Sequence, residues 1–190
     1  KMAGSYEDQQ ETFGDLIMLL AMIIILVYIV MASQFESFMS PFVIMFSIPF
    51  AFVGVLLGLW ITGTPLGTMG MIGILILMGI VVKNGIVLID YTILMRERGK
   101  SVAEASVIAA KSRLRPILMT TLTTVLGMIP MAIGQGEGAE MWRSLGMVVA
   151  WGLSISTLVT LVIIPTVYAS MASWQERRAA RKAAKKLAKA

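Results

Sequence analysis

The 190-residue sequence contains no cysteine and no histidine. Without cysteine there is no disulfide framework and no thiolate metal site. Without histidine the commonest general base and the commonest metal ligand are both missing. Charge is scarce too: Asp, Glu, Lys and Arg together make up 14% of the chain, against about a quarter in a soluble domain. Hydrophobic residues reach 57% without counting 17 glycines, more apolar surface than a chain of this size can hide from water. These shortages exclude a soluble enzyme, a disordered tail and a small secreted scaffold, and catalysis is not expected. No cleavable signal sequence is evident, since Lys1 to Asp15 is polar and acidic. The chain opens on Lys1 rather than Met, so part of a longer chain or an engineered product is expected.

What is abundant is long apolar sequence. A bilayer core about 30 Å thick takes roughly 20 apolar residues of helix to cross. Five stretches suffice, approximately Phe13–Ala32, Pro41–Ile61, Met69–Tyr91, Pro116–Ile133 and Leu145–Ser170. Runs such as Met22-Ile23-Ile24-Ile25-Leu26-Val27 lack the alternation of a membrane β-barrel strand. The expected fold is therefore all-α, a polytopic bundle of five membrane-spanning helices. Residues 1–12 precede the first crossing, 13–173 read as the transmembrane domain and 174–190 as a basic tail.

The basic residues set the orientation. With five crossings, one side receives only Lys1 and Arg143. The other holds Arg96, Arg98, Lys100, Lys111, Arg113 and Arg115, then Arg177, Arg178, Arg181, Lys182, Lys185, Lys186 and Lys189. Cytoplasmic loops carry the excess of Lys and Arg, which places the N-terminus outside and the C-terminus in the cytoplasm. Trp60, Trp142 and Trp174 fall near segment ends, where interfacial anchors belong.

Within the 92–115 connection, Ser101 and Glu104 have capping-box spacing, with Val102, Ala105 and Ala109 as an apolar stripe behind them. A short cytoplasmic surface helix is expected there, over about 100–112. In the tail, basic residues recur along one helical face with Ala179, Ala180, Ala183 and Ala184 opposite. Either attraction to anionic membrane lipids or simple topology-fixing explains this face. Nucleic acid is not an expected partner, because no aromatic residue is interleaved with the charges.

Lys83 is the most informative residue, in Ile80-Val81-Val82-Lys83-Asn84-Gly85-Ile86-Val87, two thirds through the third apolar stretch. A cation at such depth costs about 2.5–3.5 kcal/mol on insertion scales and normally faces a partner. The alternatives to a functional role are a structural ion pair or a snorkelling side chain. Asp90 shares its face but lies about 10 Å along the axis. No carboxylate of this chain stands at the right depth, so the missing anion is expected from a helix outside it. On the fourth stretch, Thr120 and Thr124 share a face and either relay protons or pack against another helix. Arg113 and Arg115 either guard a proton entrance or only obey the charge rule. Pro116 is expected at the start of that helix. Gly54 and Gly58 form one small-residue packing face, and Gly67, Gly70 and Gly73 another. The 16 methionines read as adaptable filler, and no metal site is expected.

Several strings together resemble RND (resistance-nodulation-cell division) multidrug efflux transporters, most closely the hydrophobe/amphiphile, AcrB-like branch. Tyr28-Ile29-Val30-Met31-Ala32-Ser33-Gln34-Phe35-Glu36-Ser37-Phe38 is similar to the end of the eighth helix of that family and the turn after it. Gly79 to Asp90 resembles the tenth helix and Arg113 to Thr121 the start of the eleventh. Gly127-Met128-Ile129-Pro130 and the 134–138 loop continue in the family order. The resemblance covers roughly residues 4–172 and implies helices eight to twelve of a proton-driven exporter in the bacterial inner membrane. It implies no cofactor beyond the proton gradient. Its implied partners are the N-terminal half of the transporter with an aspartate pair, a periplasmic adaptor, an outer-membrane channel and two further copies in a homotrimer. Lys83 matches the lysine that pairs with those aspartates, and Arg113 and Thr120 match the arginine and threonine of the same relay. Asn84, Asp90 and Thr124 are secondary candidates.

The resemblance implies that residues 1–12 end a periplasmic segment, while the chain lacks the aspartates and the drug-binding periplasmic mass of such transporters. A transporter half contributing one side of a proton relay is the first reading. A small membrane protein acting through helix–helix association, as an assembly or regulatory partner, is the alternative. A self-associated channel finds no acidic ring or filter-like repeat to support it.

Overall fold

The computed structural model describes residues 2–187 apart from 135 and 137, and for 2–9, 175, 177, 179, 180 and 182–187 it describes the backbone alone. Six helices follow one another: α1 (Met2–Phe35), α2 (Met39–Met45), α3 (Ser47–Thr62), α4 (Thr68–Glu97), α5 (Val102–Ile133) and α6 (Ala139–Leu187). No strand occurs among the described residues. Five stretches are long and apolar enough to cross a membrane: Gln10–Phe35, Met39–Thr62, Thr68–Glu97, Val102–Ile133 and Ala139–Trp174. The fold is an all-α transmembrane bundle.

The second crossing is broken. Pro49 has no N–H to offer the Met45 carbonyl, and its ring crowds that oxygen. The helix interrupts at Phe46, between α2 and α3, and the Ser47 hydroxyl donates to the Ile44 carbonyl at 2.6 Å. Gly63 then closes α3 in the left-handed region, with φ 61°, a conformation that costs glycine nothing.

Two elements expected as separate helices are continuous with their neighbours. The surface segment about 100–112 is the first part of α5, so Pro116 lies in a helix interior and not at its start. Tertiary packing is the reason. Val102, Ala105 and Ala109 are buried in the bundle, and that burial holds the helix through the one hydrogen bond that Pro116 removes. The basic tail likewise extends α6 without a break to Leu187, since its Ala, Lys and Arg are strong helix formers with no stop signal among them. The alanine face expected there lies outside the described side chains. The capping box is present: Ser101 Oγ accepts from the Glu104 N–H at 3.3 Å, and Glu104 Oε2 accepts from the Ser101 N–H at 3.2 Å.

α4 and α6 form the centre. Among the described residues, α4 touches every other helix, α6 touches all but α1, and α1 rests only on α2 and α4. The central helices supply most of the fully buried side chains, among them Leu77, Val81, Leu88, Ile89, Val148, Leu153 and Ile164. Trp60 and Trp142 are exposed near helix ends, and Trp174 is exposed at the end of the apolar stretch of α6.

Candidate functional site

Lys83 stands at the middle of α4, flanked by buried Val82 and Asn84. Its own side chain is exposed and opens on a groove lined by Leu26, Val27, Val30 and Met31 of α1 and by Gly79, Val82 and Ile86 of α4. Every wall of that groove is apolar. Lys83 makes no ion pair or hydrogen bond among the described residues, where Arg96–Glu176 is the only salt bridge. Asp90 is also exposed, and seven residues of helix separate it from Lys83, too far for a direct pair. Asn84 faces inward and is 6% exposed.

Arg113, on α5, is half-buried. Its guanidinium lies 4.6 Å over the ring centroid of Tyr91 on α4, and its Nε is buried without a hydrogen-bond partner among the described residues. Thr120 and Thr124 occupy the outer side of α5 and bond back onto their own helix. Thr120 Oγ1 donates to the Pro116 carbonyl at 3.0 Å, and Thr124 Oγ1 donates to the Thr120 carbonyl at 2.9 Å. No hydrogen bond or ion pair joins Lys83, Arg113 and Thr120 among the described residues. Lys83 and Thr120 both point out of this bundle, so a further helix would have to lie against it to connect them.

Packing glycines line the path of α6. A Cβ on Gly58 would overlap the Trp151 side chain, and one on Gly54 would meet Ile155 Cβ at 3.0 Å and Gly152 Cα at 3.1 Å. A Cβ on Gly70 would collide with Ser144 Oγ, and one on Gly73 would meet Val148 Cγ1 at 3.2 Å. Gly67 does not belong to this ridge. It caps the N-terminus of α4, and nothing lies within 4 Å of its Cβ position.

Sequence reasoning missed the receiving surface. Ser144, Val148, Gly152, Ser156 and Thr160 are buried along α6, at four-residue intervals that set each beside the next in a stripe winding slowly round the helix. It also missed the buried hydroxyl pair Thr121–Thr157, 3.1 Å apart across α5 and α6. The small-xxx-small spacing of Gly152, Ser156 and Thr160 was the available signal.

At the end of the bundle that carries the basic residues, Arg96 ties α4 to α6. It donates to Tyr168 Oη at 3.2 Å and to Glu176 Oε1 at 2.7 Å. Arg178 stacks on Trp174, 3.6 Å from the ring centroid.

The comparisons with known proteins agree with this architecture. The chain is 40% identical over 176 residues to the swarming motility protein SwrC of Bacillus subtilis (strain 168), a match covering 92% of this chain and 17% of SwrC. It is 39% identical over 181 residues to the multidrug resistance protein MdtC of Proteus mirabilis (strain HI4320), covering 93% of this chain and 18% of MdtC. In structure it is similar to a heavy metal efflux pump in two crystal forms. Crystal form II gives a TM-score of 0.79 at 32% identity, over 88% of this chain and 16% of the pump chain. Crystal form I gives 0.73 at 33% identity, over 86% and 16%. The chain thus spans less than a fifth of the length of these relatives. The profile of the AcrB/AcrD/AcrF family matches residues 1–172, and the chain belongs to that family, as a membrane portion of an RND efflux transporter.

Proposed function

We propose that these residues form the C-terminal membrane half of a proton-driven efflux transporter exporting drugs or other amphiphiles, and that Lys83 is the cationic side of its proton relay. One observation carries the reading: a lysine in mid-helix, between apolar walls, with no counter-ion among the described residues. Such a charge is stable in a membrane only when paired or hydrated. A carboxylate pair on a helix of the N-terminal half would pair with Lys83 when ionised and release it when protonated. The protonation state then biases the two halves between arrangements, which is how a proton gradient shifts a conformational equilibrium. Arg113 and Thr120 serve the same relay from α5, with Asn84, Asp90 and Thr124 in supporting places. The relative named for multidrug resistance supports the drug reading. By family resemblance the drug-binding parts lie outside these residues.

The distribution of basic residues supports a topology with Arg96, Arg113 and the tail on the cytoplasmic side of the inner membrane and the start of α1 on the periplasmic side. Homotrimeric assembly with a periplasmic adaptor and an outer-membrane channel belongs to this reading. The test is proton-coupled drug efflux from proteoliposomes containing the intact transporter that carries these residues. Lys83→Ala is expected to abolish coupled efflux while insertion and thermal stability stay at the parent level. Undiminished coupled efflux by a folded Lys83→Ala protein overturns the relay.

A further inference from the structure

An apolar recess on the basic end of the bundle takes no part in this reading. It is a groove of about 490 Å³ between the first half of α5 and the last apolar turns of α6. Ala110 and Val107 line it from α5, and Leu161, Val162 and Pro165 line it from α6. Lys111, an exposed residue, is the one charged side chain on its lining, and no carboxylate lines it. Val107 is 53% exposed and Val162 67% exposed, so the groove opens outward.

We infer that this groove seats one anionic phospholipid of the leaflet at the basic end, its acyl chain against Leu161 and Val162, the part of the lining farthest from the basic end, and its phosphate on Lys111. Three observations converge on that occupant. First, the groove sits where α5 changes character: Lys111, Arg113 and Arg115 precede Pro116, after which α5 carries no charged residue up to Ile133. That is the level of the headgroups for a span beginning at Pro116. Second, α5 has two apolar sides there. Val102, Ala105 and Ala109 face the bundle, while exposed Val107 and Leu114 face outward beside Lys111 and Arg115, with Glu104 bordering the stripe only at its start, beside Ala103. An outward apolar stripe edged by cations is the composition that lies against anionic lipid. Third, the lining carries a single sign of charge, so it complements a phosphate and not a cationic head.

The inference uses the orientation proposed above, which puts this end at the anionic cytoplasmic leaflet, but it does not use the proton relay. Its test therefore reads lipid binding and not transport. The intact transporter is purified into nanodiscs containing phosphatidylglycerol in a phosphatidylcholine background, and retained lipid is counted by native mass spectrometry. Lys111→Gln is expected to weaken phosphatidylglycerol retention about fivefold, the factor contributed by one membrane-proximal basic residue. Ala110→Leu, which fills the groove without touching charge, is expected to displace the same lipid. Arg98→Gln, an exposed cation off the groove, is expected to leave retention unchanged. Equal retention in the parent, Lys111→Gln and Ala110→Leu proteins overturns the inference. So does a cross-link from Val107→Cys to another helix of the transporter, which would show protein occupying the groove.

Discussion

The guanidinium of Arg113 and the ring of Tyr91 face each other 4.6 Å apart, and this pair joins α5 to α4 one residue beyond Asp90. Such a contact contributes about 0.5–1 kcal/mol where exposed and about 2 where desolvated. Arg113 is half-buried, with its Nε unpartnered among the described residues, so the upper part of that range applies. Tyr91→Phe keeps the ring and is expected to keep efflux and stability. Tyr91→Leu removes the π face and is expected to lower stability by about 1–2 kcal/mol and to reduce efflux. Unfolding in mixed micelles together with transport in proteoliposomes checks both. Equal behaviour of the two variants would show that the ring face contributes nothing.

Glycine substitutions separate close packing from mere smallness. Gly58→Ala drives a Cβ into Trp151 and is expected to cost about 1–3 kcal/mol, as overpacking does. Gly127, on the exposed side of α5, has nothing within 4 Å of its Cβ position. Gly127→Ala is therefore expected to be neutral or to stabilise by up to about 1 kcal/mol through helix propensity. A loss of stability at Gly127 as large as at Gly58 would mean that another surface covers α5 there.

How much of this was legible in the sequence follows from what each signal depends on. Span number and the Ser101–Glu104 box rest on local composition, and both appear as expected. Helix continuity depends on tertiary burial. Pro116 reads as a helix start until the burial of Ala105 and Ala109 is known. The Phe46 break is local, but Pro49 alone does not announce it, since Pro165 lies inside α6 without interrupting it. For the candidate site, the isolation of Lys83 from Asp90 could be read from spacing alone. The Arg113–Tyr91 stacking could not, because it requires the angle at which α4 and α5 cross.

The Arg96–Glu176 bridge makes a weaker claim. Its side chains are 34% and 57% exposed, and exposed pairs contribute at most about 1 kcal/mol. Glu176→Gln is expected to cost less than that and to be nearly silent at high salt. Tyr168 is 3% exposed and also accepts from Arg96. Tyr168→Ala is expected to cost about 3–5 kcal/mol, as truncating a buried aromatic does. Denaturation of both variants at low and high ionic strength checks this, and a Glu176→Gln loss as large as that of Tyr168→Ala would contradict it.

Buried hydroxyls on α6 provide the sharpest comparison, because two threonines three residues apart have opposite hydrogen-bond status. Thr157 is 2% exposed and bonded to Thr121. Thr160 is equally buried, yet its Oγ1 has no partner among the described residues. Thr→Val conserves shape and removes only the hydroxyl. At Thr157 this deletes an interhelical bond, which in a membrane is worth about 0.6 kcal/mol on average, and leaves Thr121 with an orphan. At Thr160 it removes a desolvated polar group that gains nothing where it is. Thr157→Val is therefore expected to destabilise and Thr160→Val to be neutral or stabilising. A double-mutant cycle of Thr121→Val with Thr157→Val isolates the pair and should return a coupling energy of that order. A coupling of zero would mean that the two hydroxyls do not bond. A Thr160→Val loss matching that of Thr157→Val would place a partner for Thr160, from water or another helix, inside the assembled transporter.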